Sequence, residues 1–415
     1  MSMRNAALAF RVSQTKHVEG AARYDRSTAD PAADRPFDPP EGLAELRAQR
    51  PLSRLNYPDG HVGWLVTSHA LVRAVLADAR FSARAELRHL PFPGAPAGNR
   101  PSPPGMFTAM DAPEHTRYRR LLTGQFTVRR MRQLTDHIEA VTAEHLDVME
   151  GHGGPVDLVD ALAQPIPAQV ICELLGVPYA DRARFQGHAL DLFRLDAAPE
   201  RMASAYAAVQ EFLGELVAAK RAEPTEDLLS GLTTTDLSDE ELVNIGFVLL
   251  GAGLDTTANM IALGTFALLT RPDQLSALRT DPGIAAQAVE ELLRYLSIIP
   301  GTVRTALEDV ELHGRLIKAG ESVTVSIPAA NRDPQRFPDP DTLDLHRPAS
   351  GHVAFGHGVH QCLGQQLARV EMQVVLPALL TRFPTLRLAL PAQDVPMRTD
   401  MLIHGVHELP VAWQM

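Results

Sequence analysis

A long apolar segment, from Leu242 to Leu269, constrains the fold of this chain more than any other feature. As an α-helix, its roughly 28 residues would span about 42 Å. Only a few polar residues interrupt it: Asn244, Asp255, Thr256, Thr257 and Asn259. These polar residues make the segment a poor membrane span but suit a long helix buried inside a protein. We therefore expect a soluble protein built around one long central helix.

The segments on either side of this helix predict a mainly α fold with a minor β part. Helical patterns cover residues 114–295 almost throughout, whereas residues 52–67 read as a hairpin and residues 301–345 as strands and turns. Because no repeat or linker divides the chain, we expect a single large domain over residues 41–415. Residues 1–40, rich in Pro, Asp and Ala, are expected to form a weakly structured N-terminal arm.

Composition limits the functions open to the chain. Hydrophobic residues make up 45% and charged residues 21% of the 415 residues, which is typical of a soluble globular protein. The net charge of −11 disfavours a nucleic-acid-binding protein. Two cysteines, Cys172 and Cys362, cannot build a disulfide framework, and the N-terminal segment lacks the long apolar region of an export signal. We expect a cytoplasmic protein that binds neither nucleic acid nor membrane.

The loop "FGHGVHQCLG", residues 355–364, places Cys362 among three glycines and two histidines. A thiol here could be a zinc ligand, a nucleophile, a redox centre, a haem ligand or a small core residue. The chain contains neither a CxxC pair nor an HExxH motif, which disfavours zinc. A catalytic Cys–His pair stays open, because its histidine can be distant in sequence, but it does not account for the glycines.

The residues around Cys362 suit an axial metal ligand. Gly358 permits backbone angles that other residues avoid, and Gly364 leaves room for the close approach of a flat cofactor. A last amphipathic helix is predicted to start near Leu363, and the amide groups at its beginning favour a thiolate. Metal coordination removes the thiol proton as well.

The same loop resembles the F-x-x-G-x-x-x-C-x-G haem loop of the cytochrome P450 family, with Phe355, Gly358, Cys362 and Gly364 at the fixed positions. The resemblance implies haem b as the cofactor and Cys362 as its axial thiolate ligand, with Phe355 and Gly364 beside the haem. It also implies a single P450-like domain in which the haem lies between the long central helix and the Cys loop with the last helix.

Within the central helix, "AGLDTT", residues 252–257, resembles the oxygen-activation motif of that family, (A/G)-G-x-(D/E)-T. The residues alone leave another interpretation open, since threonine hydroxyls commonly bond to a carbonyl one turn earlier in a helix. A carboxylate inside an apolar helix is costly unless it is paired or used, which favours a function for Asp255. By the resemblance, Thr256 would hold water and hydrogen-bond the oxygen co-substrate, and Asp255 would help to deliver protons.

Glu291 and Arg294 lie three residues apart in "EELLR", residues 290–294. As an exposed pair on a helix they would contribute only about 0.2–0.5 kcal/mol. They also resemble the E-x-x-R pair of the P450 family, in which case Arg347 matches the third member of its buried charge network. The role implied for these three residues is structural.

His115 and Arg119 lie four residues apart in "MDAPEHTRYRRLL", residues 110–122, and so share one face of a predicted helix. The residues alone also allow a basic face turned to solvent. The resemblance implies that both bind the haem propionates, together with Arg304 and His360. Donor and cationic groups around two carboxylates would form charge-assisted hydrogen bonds.

Most positions that match the family's substrate pocket are apolar. They are Leu250, Gly251, Ile298, Ile299, Val303, Leu402 and Ile403. We expect an apolar and fairly large substrate, a secondary metabolite such as a polyketide macrolide or a terpenoid. The proline-rich loop over residues 84–107 is expected to contribute to the same pocket.

The resemblance implies a monooxygenase that hydroxylates or epoxidises its substrate with O2. Because the chain has no G-x-G-x-x-G motif after a strand, electrons from NAD(P)H must arrive through separate proteins, for which we expect a ferredoxin and a ferredoxin reductase. Several arginines form either a docking face for an acidic donor or an ordinary solvated face; they are Arg117, Arg120, Arg129, Arg130 and Arg132. We expect a monomer.

Two other functions stay open on the sequence alone. A peroxide-driven haem-thiolate enzyme would need no electron donor, but such enzymes typically lack the acid–alcohol pair formed by Asp255 and Thr256. A haem-binding sensor without catalysis would leave that pair unexplained, and nothing in the sequence resembles an output domain.

Overall fold

The computed structural model describes residues 9–14, 22–27, 35–40, 42–92, 100–126 and 134–414. Contacts within the chain group its residues into two compact units. Unit 1 comprises Met1–Ser102, Ala109–Asp111 and Gln287–Cys362, and unit 2 comprises Pro103–Thr108, Ala112–Ala286 and Leu363–Met415.

The described elements are mainly α-helical with a minor β part, as the sequence predicted. The strands are β1 (Ala9–Gln14), β2 (Ala22–Ser27), β3 (Leu52–Asn56), β4 (Val62–Val66), β5 (Phe81–Ser82), β6 (Val156–Asp157), β7 (Gly301–Ala306), β8 (Val310–Leu312), β9 (Arg315–Ile317), β10 (Ser322–Ser326), β11 (Arg387–Leu388) and β12 (Pro410–Ala412). The α-helices are α1 (Leu43–Gln49), α2 (His69–Ala77), α3 (Glu114–Thr123), α4 (Thr135–His152), α5 (Pro165–Leu175), α6 (Gln186–Asp191), α7 (Pro199–Ala222), α8 (Leu228–Thr233), α9 (Asp239–Leu269), α10 (Pro272–Thr280), α11 (Ala285–Leu296), α12 (Ile327–Asn331) and α13 (Gln365–Arg382).

Unit 1 is built on a sheet whose described strands lie in the order β1-β2-β3-β4-β10-β7-β5. The predicted hairpin is present as the antiparallel pair β3 and β4. β10 runs parallel to β4 and antiparallel to β7. Apolar side chains such as Trp64, Val66, Val323 and Val325 bury one face of the sheet against α2, which holds β7 and its Arg304 in place.

The strands β1 and β2 lie within the segment for which the sequence predicted weak structure. β1 pairs antiparallel with β2, and β2 runs parallel to β3 through Ala22 and Arg23. Strand pairing uses backbone groups and does not depend on the apolar residues that identify a strand in sequence. The sequence analysis therefore did not find this edge of the sheet.

Unit 2 is organised around α9, the long helix that the sequence predicted. Ser238 caps it: the Glu241 amide donates to the Ser238 hydroxyl at 3.2 Å, and the Ser238 amide donates to the Glu241 carboxylate at 2.8 Å. The helix packs against α5, α7 and α13. By length and composition α9 could cross a membrane, but 67% of its most apolar stretch is buried within the protein, as in the core helix of a soluble protein.

Near its end the chain of unit 2 folds back on itself in residues 397–406, which we call the C-terminal hairpin. Met397 and Val406 pair in a β-bridge at its base. At its tip, the Leu402 amide donates to the Phe193 carbonyl at 2.9 Å. The hairpin is thus attached to the chain that follows α6.

Candidate active site

The cysteine loop of unit 1 is closed by its own backbone. The Cys362 amide donates to the Phe355 carbonyl at 2.9 Å, and the Gln361 amide donates to the Gly358 carbonyl at 3.0 Å. Gly358 has a φ of 75°, and a Cβ at this position would lie 2.3 Å from the Leu76 carbonyl oxygen of α2. The side chain of Cys362 is exposed. The loop therefore presents the thiol from a fixed backbone.

The two glycines predicted to give clearance to a flat cofactor have different roles. The close approach at Gly358 is to α2, so this glycine fits the loop to the protein and does not make room for a cofactor. No atom of the described chain lies within 4 Å of a Cβ built on Gly364. The expected clearance is therefore a property of Gly364 alone.

Arg304 on β7 is a buried cation. Its Nη1 donates to the Thr302 hydroxyl at 3.1 Å and to the Val303 carbonyl at 2.9 Å, and no carboxylate of the described residues pairs with it. Burial, with a contribution from the positive charge of Arg88, lowers the pKa of Arg304 to about 10, although Asp111 acts in the opposite direction. Because a buried unpaired charge is costly, this part of unit 1 suits a ligand that carries carboxylates.

Arg88, which the sequence analysis did not name, is a half-buried cation in the same unit. Its Nε is buried and has no hydrogen-bond partner among the described residues, and burial lowers its pKa. The charge of Arg88 acts on Arg304, so each cation makes burial of the other less favourable. A negatively charged ligand would relieve both.

On α3, His115 is buried and Arg119, one turn later, is half-buried, so the two share a helix face as predicted. The helix is anchored within unit 2 because the Tyr118 hydroxyl donates to Glu241 at 2.7 Å. Arg117 pairs with Glu241 and with Asp236. These carboxylates neutralise one of the arginines considered for a docking face.

The other arginines of that possible docking face are placed only in part. Arg120 is exposed at the end of α3. Arg129, Arg130 and Arg132 lie outside the described residues. Of the two arginines that the structure describes, Arg120 is exposed, and Arg117 has 38% of its side chain exposed while it pairs with two carboxylates.

Glu291, Arg294 and Arg347 form one buried ion-pair network in unit 1. Glu291 accepts hydrogen bonds from Arg294 Nε at 2.7 Å, Arg294 Nη2 at 2.8 Å and Arg347 Nε at 3.1 Å. Glu291 and Arg294 are both 0% exposed, so the alternative of a surface pair is wrong. Arg294 also donates to backbone carbonyls of Asn331 and Pro340, which ties the segment before the cysteine loop to α11.

Thr256 makes the bond to a backbone carbonyl one turn earlier in the helix, which the sequence analysis left open as an alternative. Its hydroxyl donates to the Ala252 carbonyl at 2.8 Å, and α9 continues through this point. Since the hydroxyl proton is engaged with the helix, the two lone pairs of its oxygen remain as acceptors. In this state Thr256 can receive a hydrogen bond from water or from a protonated group.

Asp255 is buried, and its two carboxylate oxygens have different surroundings. Oδ1 accepts from Arg398 Nη1 at 2.7 Å and from Asn259 Nδ2 at 3.0 Å. Oδ2 is buried and has no hydrogen-bond partner among the described residues. The sequence analysis named neither Arg398 nor Asn259 as a partner of Asp255, because Arg398 follows it by 143 residues.

A second buried carboxyl group, Glu371 on α13, also faces α9. The Thr257 hydroxyl is its hydrogen-bond partner, and complete burial raises its pKa to about 8. Glu371 is therefore mostly protonated at neutral pH. A sequence signal existed, since Glu371 follows the buried Leu367 by four residues on the apolar face of the helix.

The residues predicted to line a substrate pocket differ in exposure. The buried ones are Leu250, Ile298, Val303 and Ile403. The half-buried ones are Gly251, Ile299 and Leu402. The first group is largely enclosed by other side chains, and the second has more surface for contact. That these residues line a substrate pocket stays a prediction. In unit 2, the ring of Phe193 lies 4.0 Å from a Cβ built on Gly251, so Phe193 lies beside Gly251.

The chain is similar to known proteins over most of its length. The cytochrome P450 family model matches residues 284–413. Cytochrome P450 105C1 from a Streptomyces species is 51% identical over 380 residues, which cover 91% of this chain and 96% of that protein. This chain therefore belongs to the cytochrome P450 family.

Solved structures agree on the fold. The structure of CYP105P1 in complex with filipin I gives a TM-score of 0.87 at 44% identity and covers 93% of this chain and 98% of its own. The mycinamicin VIII C21 methyl hydroxylase MycCI from Micromonospora griseorubida, bound to mycinamicin VIII, gives a TM-score of 0.85 at 38% identity, with coverage of 90% and 96%. The prediction of a P450 fold is confirmed.

As a cytochrome P450 monooxygenase, the protein uses haem b and O2, with electrons from NAD(P)H that arrive through redox partners. Membership of this enzyme family rules out the alternative of a sensor without catalysis. The residues present fit the cofactor: Cys362 is exposed on a fixed loop, and the buried guanidinium of Arg304 has no carboxylate partner in the described chain. Haem b has an iron that the Cys362 thiolate can bind and propionates that the Arg304 guanidinium can pair with.

Proposed function

We propose that this protein hydroxylates or epoxidises an apolar secondary metabolite such as a polyketide macrolide or a terpenoid. The contact surface in unit 2 is apolar where Gly251, Leu402 and Phe193 adjoin. MycCI, by its name, hydroxylates a methyl group, and it was solved with mycinamicin VIII bound. These observations support a large apolar substrate and leave its identity to experiment.

In this proposal each group of site residues has one task. Cys362 holds the haem iron as a thiolate, and Phe355 and Gly364 lie beside the haem. Arg304, His115, Arg119 and His360 bind the propionates, and Arg88 adds positive charge near Arg304. Bound haem supplies the activation of O2 and the insertion of one oxygen atom into the substrate. Asp255 and Thr256 supply protons to that reaction.

The single observation that carries the proposal is the Cys362 thiol, exposed on a loop whose backbone is fixed by Phe355 and Gly358. Its test is the Soret band of the reduced protein under carbon monoxide. Thiolate ligation predicts the red-shifted band typical of the family, and Cys362→Ser should abolish it. Cys172→Ala, which changes the buried cysteine of α5, is the matched control and should keep the band. A parent protein without the shift would refute haem-thiolate ligation.

We also propose that a ferredoxin and its reductase deliver the electrons. In this proposal the protein is cytoplasmic and acts as a monomer. The Asp255–Thr256 pair supports this route, since enzymes driven by peroxide typically lack an acid–alcohol pair. The test compares turnover with NADPH, ferredoxin and reductase against turnover with hydrogen peroxide alone. Faster product formation with peroxide would favour the second candidate, a peroxygenase.

The substrate class is tested by a spectroscopic screen. Macrolides and terpenoids added to the oxidised protein should shift its spin state when they bind, and the products of binders can then be identified by mass spectrometry. Small polar compounds of equal concentration are the control. A panel in which only polar compounds bind would contradict an apolar pocket.

A further inference from the structure

The carboxylate of Asp255 is held at one oxygen only. Arg398 and Asn259 both donate to Oδ1, whereas Oδ2 is buried and unpartnered among the described residues. A buried oxygen without a partner is destabilising unless water reaches it. The asymmetry leaves Oδ2 as the oxygen at which Asp255 can exchange a proton.

Two spaces in unit 2 meet at Asp255. One is a cleft of about 490 Å³, which we call the polar cleft, and its polar lining includes Gln164, Asp191, Arg194, Arg201, Asn259 and His407. The other is a cavity of about 10 Å³ lined by Phe193 and Leu254, which is about the size that one water needs. Asp255 and Gln164 line both spaces. A water in the small cavity would have three polar side chains beside it, those of Asp255, Gln164 and Gln186.

The charges of the polar cleft are already compensated by the chain itself. Arg194 pairs with Asp400 at 3.1 Å, and Arg201 pairs with Asp191 at 2.6 Å. Among the described residues these cations are therefore not available to hold an anion. Water, which needs several polar partners and no net charge, suits the cleft.

The position of Arg398 is set by the C-terminal hairpin. The Arg398 amide donates to the Gly405 carbonyl at 2.9 Å. A Cβ on Gly405 would lie 1.8 Å from the Asn259 Oδ1, so only glycine lets the hairpin lie this close to α9. The contact places Arg398 at the Asp255 oxygen to which Asn259, four residues later on α9, also donates.

We infer that Arg398 is a positioning residue for Asp255: it holds Oδ1 and so leaves Oδ2 to take up protons from water in the polar cleft and pass them towards Thr256. This inference rests on the proposed role of Asp255 in proton delivery. Each substrate oxidation consumes two protons and two electrons, with one oxygen atom entering the substrate and the other leaving as water. Each proton that Oδ2 binds from solvent is released again, so the carboxylate is regenerated.

The test compares Arg398→Gln and Arg398→Lys with the parent holoprotein. The control is Arg184→Gln, which removes a cation of unit 2 that does not line the polar cleft and whose side chain is 50% exposed. With 7-ethoxycoumarin as the probe substrate and a ferredoxin system as donor, product per NADPH is measured in H2O and in D2O. Arg398→Gln should lower product formation roughly tenfold or more, as expected when general acid–base catalysis is impaired. The solvent isotope effect of Arg398→Gln should rise. Arg398→Lys should be intermediate in both quantities, and Arg184→Gln should match the parent.

A second measurement needs neither substrate nor electron donor. Thermal unfolding of the holoprotein is compared for the parent, Arg398→Gln, Asp255→Asn and the double variant. Because Arg398→Gln leaves the buried Asp255 without its cation, it should lower Tm more in the parent background than in the Asp255→Asn background. Additive losses in Tm would show that the two side chains are not coupled and would overturn the inference.

The outcomes separate this inference from the proposed function. If the parent oxidises the probe and Arg398→Gln has the same product yield and isotope effect within twofold, the positioning role is refuted while the monooxygenase proposal stands. If the parent forms product from the probe with hydrogen peroxide but not with ferredoxin and reductase, the proposed electron route fails, and the unfolding measurement still decides whether Arg398 and Asp255 are coupled.

Discussion

Glu371 makes the stability of this protein depend on pH in a way that one substitution can remove. Its carboxyl group is completely buried on α13, with the Thr257 hydroxyl as hydrogen-bond partner, and burial raises its pKa from the ordinary value of 4.5 to about 8. Below pH 4.5 the group is protonated in both the folded and the unfolded chain, so it has no effect. Between these two values the unfolded chain releases the proton and the folded chain keeps it.

The sign and size of the effect follow from this proton difference. Because the folded state binds more protons, the free energy of unfolding falls by about 1.4 kcal/mol for each pH unit above 4.5 and levels off above pH 8. The total loss is about 5 kcal/mol. For a chain of 415 residues, this corresponds to a decrease in Tm of about 6 °C.

Glu371→Gln removes the ionisation and keeps a side chain of the same shape. The assay is the Tm of both holoproteins between pH 5 and 8.5, and the quantity compared is their difference, which cancels every other titrating group. The Tm of Glu371→Gln relative to that of the parent should rise by more than 1 °C per pH unit up to pH 8. Glu139→Gln, at an exposed position of α4, is the control and should track the parent. A difference between Glu371→Gln and the parent that stays constant with pH would refute the raised pKa.

Three further substitutions test the site. Thr256→Ala should leave NADPH consumption near the parental rate and lower product per NADPH severalfold. The control Thr265→Ala removes a similar hydroxyl-to-carbonyl bond on α9 and should keep the parental product per NADPH. The same product per NADPH in both variants would exclude Thr256 from proton delivery. Arg304→Leu should lower the haem content of the purified protein. The control Arg315→Leu, at an exposed position of β9, should preserve it. An unchanged haem content in Arg304→Leu would contradict the propionate contact. Gly405→Ala should lower Tm by a few degrees, since overpacking costs about 1–3 kcal/mol. The control Gly187→Ala should keep the parental Tm, because a Cβ at this position meets no atom of the described chain within 4 Å. Equal Tm values for the two variants would contradict the close packing of Gly405 on Asn259.

Motifs with fixed spacing were the part of the site that the sequence could predict. The loop around Cys362, the acid–alcohol pair in α9 and the Glu291–Arg294 pair each need residues only a few positions apart, so the chain itself displays them. The length of α9 was predictable for the same reason, because its apolar residues are continuous. In each case the residues that act together are close in sequence, so their spacing along the chain predicts that they are close in space.

Partners that are distant in sequence could not be predicted. Arg398 reaches Asp255 across 143 residues, and its own neighbours, "MRTDML", carry no sign of that contact. Apolar character likewise does not separate a substrate contact from the core: Leu250 is buried and Leu402 is half-exposed, although both were predicted to line the pocket. Which apolar residue is enclosed depends on how the hairpin and α9 pack, and no local pattern contains that information.

The two buried carboxyl groups next to the acid–alcohol motif show why only one of them suits proton delivery. Asp255 has a cation, an amide and two adjoining spaces, the larger of which is the polar cleft, whereas Glu371 has one hydroxyl partner and complete burial. A proton carrier must exchange protons with water, and Glu371 is completely buried and is not part of the lining of the polar cleft. Glu371→Gln should therefore change the pH dependence of Tm and leave product per NADPH at the parental value, the opposite of Arg398→Gln. If Glu371→Gln lowered product yield as Arg398→Gln does, protons would pass through α13 as well, and the route through Asp255 alone would be wrong.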